Sequence, residues 1–163
     1  MTKNVVYIKY CLIIVLLVMA VIISRSYCSF VDKSLVKMNS MLAFIKHIER
    51  EIGGYMTPAN KLADGYFDGE ISDMLAQIKE GAPLADAYAC EREKVPSKID
   101  EILSLYFKDF GKGDLELEIL RTRETLSKIE SEITFCKGDA DKQKKLCRAI
   151  LPSLAIGVII LFL

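Results

Sequence analysis

Apolar residues fall along this chain in two rhythms, continuous at the ends and stepped in between. From Val5 to Ile23 ("VVYIKYCLIIVLLVMAVII") the run is broken only by Lys9, and from Ala149 to Leu163 fifteen residues carry no charge. Between them the apolar positions step. Val31, Leu35, Met38, Leu42, Ile45 and Ile52 recur at intervals of four and three, with Glu49 interrupting the row and Met41, Phe44 and Ile48 widening it. A stripe that wide predicts a helix facing a core rather than a bare coiled-coil seam. Leu115, Ile119, Thr122, Leu126, Ile129, Ile133 and Cys136 keep four–three steps without a break, predicting the longest helix of the body.

Helix breakers divide the rest. Gly53 and Gly54 stop the first stripe. Thr57 as N-cap and Pro58 in the first turn predict a short helix that Gly65 ends. Ile71, Met74, Leu75 and Ile78 share one face of the next, closed by Gly81, and Pro83 opens another carrying Leu84, Ala87 and Tyr88. Ser97 with Asp100 reads as a capping box for a helix through Ile99, Leu103, Tyr106, Phe107 and Phe110. "GKG" halts that helix, and Asp114 caps the last. Sustained alternation occurs nowhere, so the expectation is all-α. About six soluble helices joined by short loops are expected, with the first and last lying against each other.

The continuous runs fit a membrane. Nineteen residues at 5–23 match the roughly 20 apolar residues that span a bilayer core, and Lys9 lies near enough to the end to snorkel. Ser24 and Ser26 would also suit a signal-peptide cleavage site, but Arg25 between them and the length of the run favour retention. The final fifteen residues reach only about 22 Å as a helix, short of a core of about 30 Å, unless Lys144, Lys145 and Arg148 snorkel. The expected organisation is a transmembrane helix at 1–23, a helical body at 24–148 and a second membrane segment at 149–163.

Charge placement gives the body a side. The totals cancel at 22 basic and 22 acidic residues, so nothing points to nucleic acid. Residues 24–48 hold four basic and one acidic residue, and residues 133–148 hold five basic and two acidic. Residues 49–132 hold eleven basic and nineteen acidic. Both ends of the body thus wear a basic collar, drawn from Arg25, Lys33, Lys142, Lys144, Lys145 and Arg148, and the positive-inside rule places the body in the cytoplasm. The collars would also attract anionic lipid headgroups. Cys11, Cys28, Cys90, Cys136 and Cys147 are odd in number and form no C-x-x-C, which agrees with thiols in a reducing compartment.

Candidate chemistry is sparse. His47 is the one histidine and is expected at the surface or facing a partner. One histidine and scattered cysteines make no zinc set at usual spacing. Neither "GG" nor "GKG" has the spacing of a phosphate loop, and no G-x-S-x-G occurs. Glu49/Glu51 and Glu116/Glu118 lie two apart, pointing to different helix faces. The expectation is a non-enzyme with no catalytic, cofactor-binding or metal site, no small-molecule substrate and no nucleic acid.

The order of pieces has a likeness. A membrane helix is followed by "MLAFIKHIEREIGGYMTPANKLADGY", "IKEGAPLADAYACE", "LYFKDFGKGDLELEILRTRETLSKIESEI" and "KKLCRAILPSLAIGVIILFL". Over essentially the whole chain this resembles the stage III sporulation protein AB family of spore-forming Firmicutes. The sharpest parts are the helix ending in "EI" before "TP", and the "DFGKGD" junction. Here Phe110-Gly111 stands where members carry Leu-Gly, Glu116 and Glu118 where they carry a glutamine, and Pro152 with Gly157 where their final segment is glycine-rich.

The resemblance implies a helical bundle like the F-type domain of type II secretion platform proteins. It also implies a place in the mother cell-to-forespore channel, with the body in the mother-cell cytoplasm. Partners would be other membrane subunits of that complex, membrane lipids and a cytoplasmic hexameric ATPase. The alternative is a general type II secretion or type IV pilus platform component, although such proteins repeat the helical domain. With the collars committed to lipid, the candidate docking face is acidic and distal, Asp68, Glu70, Asp73, Glu80 and Glu91, with ordinary solubilising surface charge as the simpler reading of the same residues.

Overall fold

A computed structural model describes the backbone of residues 2–55 and 57–162, and the side chains of residues 14, 15, 18–55, 57–93, 95–146, 149, 153 and 157. Expectations that rest on the side chains of Lys9, Cys11, Cys147 and Arg148, and on most of the two continuous apolar runs, lie outside the described residues. The described chain is helical, with five α-helices and no strand among the described residues: α1 (Thr2–Arg50), α2 (Ser72–Lys79), α3 (Leu84–Ala89), α4 (Ser97–Asp109) and α5 (Leu115–Phe162).

That is one α-helix fewer than the stripes predict. The stretch after Thr57 forms only a single 3-10 turn, Ala59–Lys61. Thr57 does not cap it. Pro58 holds the N-cap position without a side-chain bond, and the Thr57 hydroxyl donates to Glu51 Oε2 at 2.8 Å. Ser97 likewise makes no cap. Pro96 holds the N-cap position of α4 without a side-chain bond, and the Asp100 carboxylate is taken up by Arg92, Tyr88 and Ser104. Asp114 caps α5 as expected, accepting from the Leu117 amide at 3.0 Å.

The chain divides into two compact units: residues 33–136, and residues 1–32 together with 137–163. In the first, the apolar stripes do what their spacing dictates. Met38, Met41, Phe44, Ile45, Ile48 and Ile52 of the first stripe are buried, as are Leu126, Ile129 and Ile133 of α5. Met74, Leu75 and Ile78 on α2, Ala87 and Tyr88 on α3, and Ile99, Leu103, Tyr106 and Phe107 on α4 complete one cluster. Removing a side chain such as Phe44 from a core of this kind costs about 3–5 kcal/mol. Leu115 departs from the pattern, 38% exposed at the start of α5.

Within this unit α1 and α5 run antiparallel. As residue number falls along α1 it rises along α5: an added Cβ at Gly53 would stand 4.0 Å from Ile119, Glu49 pairs with Arg123 at 2.7 Å, and Lys46 pairs with Glu130 at 2.6 Å. Of the short helices between them in sequence, α2 and α4 each run out at a positive-φ glycine, Gly81 and Gly111. Gly111 takes φ +79°, a left-handed value that only glycine adopts cheaply, and so turns the chain from α4 into α5.

In the other unit the same two helices meet again. The Tyr27 hydroxyl donates to Gln143 Oε1, and Lys144 forms an ion pair with Asp32. On α1 here, Ile14, Val15, Val18, Met19, Val21, Ile22 and Ile23 are each more than half exposed.

Candidate partner surface and membrane collar

Three of the five acidic residues assigned to a docking face are on the surface. Glu70, Asp73 and Glu80 are exposed around α2, with Asp73 and Glu80 seven positions apart and therefore on one face, two turns distant. Asp68 is half-buried and occupied locally, its carboxylate accepting the Glu70 amide at 2.9 Å. Glu91 does not belong to the face. It is 1% exposed and paired with Lys37, itself 5% exposed, whose ammonium also donates to the Glu70 carbonyl. Lys37 therefore ties the segment before α2 to the one after α3, and the Glu91 charge is spent inside.

Sequence reasoning missed an aromatic residue at this face. Phe67 is 91% exposed beside Asp68, with the Lys79 ammonium 5.0 Å from its ring centroid. The available signal was its place outside every apolar stripe, between Tyr66 and the Asp68-Gly69 turn.

His47 is not at the surface. It is 9% exposed, and its partners settle its tautomer: Nε2–H donates to the Leu62 carbonyl at 3.0 Å, while Nδ1 accepts from Arg50 at 3.0 Å. Its ring lies 4.8 Å from that of Tyr66, which also packs on Phe44 at 5.3 Å. His47 is a joint between α1 and the 62–66 loop. Burial, with Asp68 nearby, raises the Tyr66 phenol above its ordinary range.

Two further polar networks join the helices. Asp100 accepts from Tyr88 and Ser104 at 3.1 Å and from Arg92 at 3.0 Å. Burial pushes its carboxyl up, but those hydrogen bonds outweigh burial and hold it below the ordinary 3.8. Tyr106 shares a hydrogen bond with Thr122 at 3.1 Å, and Thr122 donates to the Glu118 carbonyl at 2.7 Å. Glu118 is buried and accepts from Arg121 at 3.0 Å and from the Gly113 amide at 3.3 Å, while Arg121 also reaches the Asp109 carbonyl at 3.0 Å. Burial is the main force raising both the Tyr88 and Tyr106 phenols. These networks hold α3, α4 and α5 in register. Among the described residues, no group of three or more His, Cys, Asp and Glu could hold a metal ion.

Arg25, Lys142 and Lys145 are exposed in their unit, but the Lys144 charge is engaged by Asp32. Lys142 lies 3.7 Å from Asp139. Lys33 is exposed at the start of the 33–136 unit, and the Arg148 side chain is outside the described residues. Among the described residues, no helix is long and apolar enough to cross a membrane. No family model, curated protein or solved structure matches the chain.

Proposed function

We propose that this protein is a non-catalytic membrane platform subunit of the mother cell-to-forespore channel, of the stage III sporulation protein AB type. One observation carries the membrane part of this reading. Helix α1 buries Met38, Met41, Phe44, Ile45 and Ile48, yet leaves seven large apolar side chains between Ile14 and Ile23 more than half exposed. Exposed apolar side chains in that number need a second apolar surrounding, and the uncharged sequence that flanks them from Tyr10 to Ile23 favours hydrocarbon as that surrounding.

The remaining support is chemical. The polar networks around Asp100 and His47 are taken up by structural partners, as suits a scaffold, and of the Glu118 carboxylate Oε1 is bound by Arg121 and Gly113 while Oε2 is buried without a hydrogen bond. The exposed acids Glu70, Asp73 and Glu80, with Phe67 among them, offer other subunits a mixed aromatic and anionic face in the cytoplasm. A hexameric ATPase and neighbouring channel subunits are the partners this reading assigns to it.

The test is genetic. Deleting the gene in a spore-forming host should sharply lower the count of heat-resistant spores. The full chain should restore it, and a chain ending at Arg148 should not. Normal sporulation with a secretion or pilus defect would replace this reading with a general secretion platform. Normal sporulation and secretion together would overturn both.

A further inference from the structure

Tyr27 of α1 and Gln143 of α5 are in hydrogen-bond contact, which sets the level of one helix against the other within their unit. Arg25 and Lys145 each lie two residues beyond that contact in the same direction, about 3 Å of rise on either helix. They stand at the same height. Just beyond Arg25 the exposed apolar row begins at Ile23, and four residues beyond Lys145 the uncharged run begins at Ala149.

Their charges are also uncommitted. Lys144 is bound to Asp32, and Lys142 has Asp139 at 3.7 Å. Arg25 and Lys145 are exposed, and neither has an acidic partner among the described residues. Tyr27, 40% exposed at this height, has the ring-and-hydroxyl character of residues that settle at a membrane–water boundary.

We infer that Arg25 and Lys145, on the faces of the two helices turned away from the Tyr27–Gln143 contact, each bind anionic-phospholipid phosphates at the cytoplasmic edge of the bilayer. This rests on the membrane reading above. Lipid phosphates sit where hydrocarbon gives way to water, which is the height these two cations share. Arg25 can fork two N–H groups onto phosphate oxygens, and Lys145 adds a point charge. A zwitterionic headgroup carries the same phosphate with its own ammonium beside it, so net lipid charge decides the preference. Each basic residue near an anionic surface contributes roughly a fivefold preference.

The full chain should be reconstituted in vesicles of equal phosphatidylcholine and phosphatidylglycerol, with spin-labelled probes of each lipid. Resistance to alkaline carbonate extraction reports insertion, and the motionally restricted fraction reports lipid contact. The inserted chain should restrict the phosphatidylglycerol probe several-fold more than the phosphatidylcholine probe. The R25Q/K145Q double variant should lose that difference while remaining inserted, and the R25K/K145R variant should keep it. Equal restriction of the two probes by the unsubstituted chain, or an unchanged preference in R25Q/K145Q, would overturn the inference and leave the membrane reading intact. Release of the chain by carbonate would overturn both.

Discussion

Lys37 and Glu91 form an ion pair inside the 33–136 unit, joining α1 to the segment between α3 and α4. Both side chains are more than nine-tenths buried, and the Lys37 ammonium also holds the Glu70 carbonyl. Burying two charges costs each its hydration, and only their mutual attraction and extra hydrogen bonds offset that. Glu91→Gln or Lys37→Met alone should therefore destabilise the protein by about 3–5 kcal/mol, because one charge is left buried without its partner. The Lys37→Met, Glu91→Leu double variant should recover most of that loss. Urea denaturation of the four proteins, followed by circular dichroism, closes the cycle. Additive single losses would mean that the pair is not coupled.

Asp100 sets the acid limit of its network. Its folded-state pKa lies below the ordinary 3.8, so its interactions stabilise fully above that pH and are lost as pH falls through the folded value. Asp100→Asn should lower stability at neutral pH and flatten the stability profile below about pH 4. Denaturation midpoints measured from pH 6 downward check both parts. A variant with the same acid slope as the unsubstituted chain would assign that slope to other carboxylates.

At high pH the sign reverses. Burial raises the Tyr88 and Tyr106 phenols above the ordinary 10, so their contribution is complete below pH 10 and fades as pH climbs toward the folded values. Alkaline unfolding should begin above pH 10, and Tyr106→Phe should shift its onset upward while losing the bond to Thr122. Absorbance of phenolate during a pH titration measures ionisation and unfolding together. Ionisation of all tyrosines at the ordinary pKa without unfolding would contradict it.

Among the described glycines, Gly113 is where an added side chain would meet a neighbour most closely. A Cβ there would stand 2.8 Å from Leu117 Cδ2 and 3.4 Å from Glu118 Oε1, the atom that accepts the Gly113 amide. Gly113→Ala should destabilise by about 1 kcal/mol, the low end of overpacking, since the Leu117 tip can move. Gly54→Ala, which meets nothing within 4 Å, should be neutral or slightly stabilising. Thermal unfolding of both variants decides whether space, rather than glycine as such, matters at this position.

What the sequence made legible is what a helix can encode in its own spacing. The stripes through Met38–Ile48 and Leu126–Ile133 predicted both the helices and their buried faces, because a period of about 3.6 is a local property. Asp114 was legible as a cap for the same reason. The misses depend on distant neighbours. Glu91 looked like a surface acid because Lys37, 54 positions earlier, is invisible in its local pattern. His47 looked exposed because its carbonyl partner comes from Leu62, in a loop. The Thr57 hydroxyl turns to a carboxylate six residues back while Pro58 takes the N-cap position, Asp100 is taken by Arg92 rather than by a capping box, and Lys144 is paired with Asp32. Where a polar side chain has two possible partners, tertiary contact chooses.

We propose that both ends of the chain lie in a membrane and that the body lies on its cytoplasmic side. Protease treatment of intact and lysed protoplasts, with immunodetection of the body, separates this arrangement from the others. The chain should be found in the carbonate-resistant membrane pellet, and its body should survive protease until the cells are lysed. A chain in the soluble fraction, or a body digested in intact protoplasts, would contradict it.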